Sequence, residues 1–238
     1  AQWQALMPDA PGPEARLAKG ELELARNILG GLEEPALLTR SIARAEALHH
    51  AHPDDAETLG TLALGLQIRA YRNQNLGQDP RPDLERALAL LQRALDLQPG
   101  RFELCDPLVA CHWALVEFEK SRGHDPEPRI REALKAIHPL AERFPNLPDF
   151  QGYLGGLLVE QVDFQATHGQ DPRPTAQRAL SHLKRAIASA PNRFEFHFSL
   201  GNAHLALAQF QNLQGNSPDP DLHLAETAYE KALVCNPR

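Results

Sequence analysis

The sequence predicts an all-α protein, an α-solenoid of about five tandem antiparallel helix pairs. Three observations carry that prediction: glycines that recur at a fixed step, prolines that recur at the same step, and apolar residues at helical spacing between them. Gly31, Gly77, Gly123, Gly169 and Gly215 are each 46 residues apart, and Pro53, Pro99, Pro145, Pro191 and Pro237 keep the same step. Self-similarity at such a period marks units that cannot bury their apolar faces alone and must stack. Aromatic residues make up only 6% of the 238, so Leu and Ala are left to build the core.

The elements follow in order. Residues 1–238 read as a single array, with a degenerate repeat at 8–53 and full repeats at 54–99, 100–145, 146–191 and 192–237. In the first, GLEEPALLTR replaces the later GxDPxP phrase, as expected of an end repeat that caps the array. The first helix of each pair (helix A) is predicted from runs such as Leu104, Leu108, Cys111, Leu115, Phe118 and Phe196, Leu200, Ala203, Leu207, Phe210. It should extend over about 20 residues, or about 30 Å. The second (helix B) shows its face at Leu84, Leu88, Leu91 and Leu95, and again at Leu180, Leu183 and Ile187. Between them, Gly can adopt the left-handed conformation that ends helix A, and Asp79, Asp125, Asp171 or Ser217 can cap helix B. The prolines of GxDPxP then fall in a first turn, where a missing N–H costs nothing. Pro107 and Pro139 fall inside predicted helices and should delay or kink them.

The formal charge of −7 and the absence of a Lys/Arg cluster argue against nucleic acid as a partner. No apolar run is long enough to enter a membrane. Cys105, Cys111 and Cys235 lack metal-ligand spacing and read as small apolar side chains. His49, His50 and His52 read as solvated histidines at a helix end, and His112 and His204 as packing residues in helix A. No phosphate loop, nucleophile elbow, HExxH or dinucleotide fingerprint is present, so neither a catalytic set nor a cofactor is predicted. Glu57, Glu103, Asp149 and Glu195, again 46 apart, read as carboxylates stabilised at helix N-termini. The chain starts at Ala1 and reads as a piece of a longer protein.

The closing phrase Ala225, Tyr229, Ala232, Leu233, Pro237 resembles the second helix of a tetratricopeptide repeat, and Leu154-Gly155 and Leu200-Gly201 resemble the Leu-Gly pair of its first helix. The ordinary repeat of that family has about 34 residues; the extra length here falls in helix A and the turn. Long repeats with GxDPxP look like the C-terminal tetratricopeptide regions of bacterial Ser/Thr protein kinases. The resemblance implies a right-handed superhelix, a non-enzymatic module that binds a protein or peptide, and a role in signalling. It implies an extracytoplasmic position if a membrane helix precedes the chain, and a cytoplasmic one otherwise. Helix A lines the concave face in that family, which places Asp106, Trp113 and Glu117 there, then Gly152, Gly156 and Asp163, then Phe198, Asn202 and Gln209. The two glycines are expected to leave a recess beside Trp113. Asn202 matches a position that grips terminal carboxylates in some members, but Phe198 and Ala206 replace its partners, so no carboxylate clamp is expected. The rival expectations are self-association through the C-terminal end and small-molecule sensing.

Overall fold

The computed structural model describes residues 13–28 and 35–236; Gly31 and Pro237 lie outside the described residues. Among the described residues there are ten α-helices, one short 3₁₀ turn and no strand. The helices are α1 (Pro13–Ile28), α2 (Pro35–Ala51), α3 (Ala56–Asn75), α4 (Arg81–Leu97), α5 (Cys105–Ser121), α6 (Glu127–Arg143), α7 (Pro148–Thr167), α8 (Arg173–Ser189), α9 (Phe194–Leu213) and α10 (Asp219–Cys235). They fall into two compact units, residues 1–118 and 119–238, so that the last residues of α5 belong to the second.

The four later helix pairs turn in the same way. Gly77, Gly123, Gly169 and Gly215 have φ of 73°, 72°, 72° and 74°. After each glycine the chain donates back to helix A: Gln78 N to Asn73 O at 2.8 Å, His124 N to Glu119 O at 2.9 Å, Gln170 N to Gln165 O at 2.8 Å and Asn216 N to Gln211 O at 2.9 Å. With the glycine N–H bonded three residues back, these are Schellman ends that satisfy the last carbonyls of the helix. The expected caps sit one residue early: each N-cap is a proline, Pro80, Pro126, Pro172 or Pro218, with no side-chain cap bond, and the residue before it bonds the first helical N–H. Asp79 accepts from Arg81 N at 3.0 Å, Asp125 from Glu127 N at 2.8 Å, Asp171 from Arg173 N at 3.1 Å and Ser217 from Asp219 N at 3.3 Å.

Helices α3, α7 and α9 each have the expected 20 residues, whereas α5 has 17. Phe102–Leu104 form the 3₁₀ turn and α5 starts at Cys105, which leaves Pro107 in a first turn. The proline therefore delays the helix, because only there is its missing N–H harmless. Pro139 is exposed inside α6, which continues to Arg143. It removes the hydrogen bond that the Lys135 carbonyl would otherwise receive.

The first unit is packed with aliphatic side chains: Leu59, Leu62, Leu66, Leu84 and Leu91 are fully buried. Each such leucine contributes about 1.5–3 kcal/mol on transfer from water. Its helices are also tied by arginines, Arg69 to Asp83 at 2.5 and 2.8 Å and Arg86 to Glu46 at 2.5 and 2.7 Å. In the second unit Leu158, Val159, Ala179, Leu183 and Ala203 form one cluster, and Val162, Ala166, Ala176, Ala206, Leu207 and Phe210 another. There rings lie on glycines. A Cβ on Gly152 would overlap the ring of Phe196, and one on Gly201 the ring of Tyr229. Cys105 and Cys111 are buried as expected, and burial pushes the Cys111 thiol up to about 12.

Candidate functional site

The residues expected to bind divide between the two units. In the first, Asp106 is exposed, and Trp113 and Glu117 are half-buried along α5. In the second, Gly152 and Gly156 are buried, Asp163 and Asn202 are half-buried, and Phe198 and Gln209 are exposed. The space expected above Gly152 is filled by Phe196, so that glycine allows close helix packing and leaves no recess.

A recess of about 210 Å³ instead opens between the last turn of α5 and helices α7 and α9. Lys120, Val159, Glu160, Asp163, Asn202, Leu205, Ala206 and Gln209 line it. It brings Asp163, Asn202 and Gln209 together, as three of the expected residues, and adds Lys120 and Glu160, which the sequence reading missed. Both omissions had a signal: Lys120 lies three residues after Glu117, and Glu160 four after Gly156, so either helical step leads to them. Val159 and Ala206 belong to the core clusters below, which makes the floor rigid.

The polar lining is ordered from beneath. Tyr229 on α10 donates its hydroxyl to Asn202 Oδ1 at 2.8 Å. Burial raises the Tyr229 pKa, which keeps that donor protonated. With its oxygen engaged, Asn202 presents its NH₂ group as a donor. Lys120 Nζ bonds Glu160 and lies 3.4 Å from Asp163. Phe198, 50% exposed and 5.8 Å from the Tyr229 ring, continues the α9 stripe one turn before Asn202.

Two sets of residues lie where expected, the four carboxylates in first turns and His112 and His204 in helix A, and most also gain a polar partner. Glu57, Glu103, Asp149 and Glu195 are held by arginines: Arg101 reaches Glu57 at 2.5 Å and Glu103 at 2.8 Å, and Arg193 reaches Asp149 at 2.9 Å and Glu195 at 3.3 Å. Each of these partly exposed pairs contributes about 0.2–1 kcal/mol, comparable to the helix-terminus effect alone. His112 is buried, as packing requires, but His204 Nδ1 lies 2.7 Å from Asp221, which also accepts from Gln211 at 2.8 Å. His204 is thus a polar tie between α9 and α10.

No protein-family model matches the chain, and no curated protein matches it. Solved structures do. MamA 41-end from Desulfovibrio magneticus RS-1 has a TM-score of 0.55 at 15% identity, covering 96% of this chain and 98% of that one. A second MamA crystal structure gives 0.55 at 14% identity over 95% and 94%. YrrB, described as a TPR protein with an unusual peptide-binding site, gives 0.53 at 14% identity over 99% and 91%. The all-helical chain has the fold of tetratricopeptide solenoids. Among the described residues no helix is long and apolar enough to cross a membrane.

Proposed function

We propose that the chain is a non-enzymatic module that binds an extended peptide segment of a partner protein along α9, using no cofactor. The observation that carries this reading is the recess with Asn202 fixed by Tyr229. Asn202 and Gln209 are seven residues apart, about 10.5 Å along the helix, which matches about three residues of an extended strand. Their amides suit peptide carbonyl and N–H groups, and Phe198 offers an apolar contact beside them. A recess of about 210 Å³ accepts one side chain and falls below the roughly 300–1,000 Å³ of drug-sized pockets, which favours a peptide over a small-molecule signal. The structural likeness to YrrB, which is described as having a peptide-binding site, supports the same reading.

In this proposal residues 1–238 are one array, with repeats bounded at 54–99, 100–145, 146–191 and 192–237 behind a degenerate repeat at 8–53. Asp106, Trp113, Glu117, Gly152 and Gly156 shape the helix A surface. The module serves as the regulatory or sensory part of a bacterial signalling protein such as a Ser/Thr kinase. Selection from a displayed random-peptide library tests the binding. Enriched peptides should lose affinity about tenfold on Asn202→Ala or Gln209→Ala, with helical content unchanged. A library that enriches nothing, or variants that bind equally well, would overturn it.

A second reading, self-association through the C-terminal end, is favoured by α10. Leu222 and Leu233 are 42% and 64% exposed, whereas Leu84 and Leu95, at the corresponding places in α4, are buried. A mass that rises with concentration, and that falls back on Leu233→Glu, is its test.

A further inference from the structure

We infer that the recess takes an arginine side chain of the bound peptide, and that Lys120 is a built-in occupant which that arginine displaces. The inference rests on the peptide-binding reading above and specifies its chemistry.

The recess separates into two parts. Val159, Leu205 and Ala206 make apolar walls, while Glu160 and Asp163 put two carboxylates, one helical turn apart, against a single ammonium. Apolar walls leading to carboxylates are complementary to a long basic side chain, whose methylenes need cover and whose head needs anions. The protein already sets a basic side chain against these carboxylates, because Lys120 lines the recess and bonds Glu160.

The pairing is uneven. Among the described residues Asp163 has Lys120 as its side-chain partner only at 3.4 Å, with no hydrogen bond, and remains 45% exposed. Glu160 is more covered, at 16%. A compact ammonium satisfies one carboxylate well and the second poorly. A planar guanidinium carries five donors in a fixed fork and can reach both at once. An acidic ligand would meet two carboxylates and a lysine already engaged with both, so charge selects against it. Asn202 NH₂ is then left for the peptide carbonyl beside the arginine.

Displacement predicts an unusual response. Removing Lys120 should strengthen binding, because it removes both a competitor and a positive charge. The probes are short fluorescein-labelled alanine peptides with one phenylalanine and a central arginine, lysine, citrulline or glutamate, followed by fluorescence anisotropy. Citrulline keeps the shape of arginine without its charge. The arginine peptide should bind about tenfold tighter than the citrulline peptide, and the glutamate peptide weakest. Lys120→Met should tighten arginine binding severalfold, while Glu160→Gln and Asp163→Asn each weaken it about tenfold. Circular dichroism checks that each variant keeps its helices.

Three results would sink the inference: equal affinity for arginine and citrulline, preference for glutamate, or loss of arginine binding in Lys120→Met. If arginine and citrulline bind alike and Asn202→Ala still abolishes binding, the arginine inference falls and the peptide reading stands. If no probe binds and library selection also enriches nothing, both fall together.

Discussion

Residues 56–97 and residues 194–235 are both a 20-residue helix turned back onto a 17-residue one through a left-handed glycine, yet they are filled in opposite ways. In α3 and α4 large leucines point inward and arginines tie the rims. In α9 and α10 the buried positions are mostly small, Gly201, Ala203, Ala225, Ala228 and Ala232 among them; Phe196, Leu207 and Phe210 are the large buried groups, and Tyr229 lies on Gly201. The first pair buries its large groups among aliphatic neighbours. The second keeps one large group, Tyr229, partly exposed and uses it to hold Asn202 at a recess. One turn chemistry therefore supports a region built for packing and a region that keeps polar groups for a partner.

Truncating a leucine should separate the two most strongly. Leu66→Ala in α3 removes a fully buried side chain and should cost about 2–5 kcal/mol in urea denaturation, because the cavity cannot collapse completely. Leu205→Ala in α9 removes a half-buried wall of the recess and should cost far less while weakening peptide binding. Equal destabilisation would break the contrast.

Gly201→Ala is the next most informative change. Its methyl would overlap the Tyr229 ring, and overpacking of this kind costs about 1–3 kcal/mol, offset in part by the ~1 kcal/mol that alanine gains over glycine in a helix. Displacing Tyr229 releases Asn202, so affinity should fall with stability. A variant that unfolds earlier but binds as tightly would show that Tyr229 supports only the fold.

The turns should behave alike in both regions. Gly77→Ala and Gly215→Ala place a side chain at φ of 73° and 74°, each costing about 1–2 kcal/mol. Nothing lies within 4 Å of a Cβ at either site, so the penalty is conformational and should be nearly equal. Unequal losses would mean that the two turns are not equivalent in solution.

These turns, and the helices they join, were legible because backbone requirements recur with the sequence: a left-handed residue demands glycine, and Asp or Ser in the turn can bond the first N–H of the next helix. The recess was legible only in part. Counting along α9 found Asn202 and Gln209, since a helix face is set by spacing alone. It missed Lys120 and Glu160, because the face was followed by alternating steps of four and three, where after Gly156 a second step of four, and after Glu117 one step more, was needed. Nor could spacing show that Phe196 fills the place over Gly152, or that Arg101 and Arg193 hold the four periodic carboxylates. Apart from Glu103 and Glu195, which lie two residues from their arginines, those contacts join residues roughly a repeat apart, and depend on which side chain is long enough to cross between helices.

The smallest expected effect tests electrostatics on α8, away from both contrasts. His182 bonds Gln151 at 2.9 Å, and its pKa is lowered by burial first and then by Arg185, Arg178 and His138. The ordinary value is 6.5, so below it the unfolded chain binds more protons at this position than the folded chain does. The contribution of His182 is therefore fully present above about pH 6.5 and is lost as the pH falls toward its lower folded pKa. His182→Gln removes that dependence. The stability difference between wild type and variant, measured by urea denaturation from pH 7.5 to 5.5, should shift against wild type as the pH drops. A constant difference would mean that neither burial nor the neighbouring Arg185 and Arg178 disfavours the charged imidazole of His182 in solution.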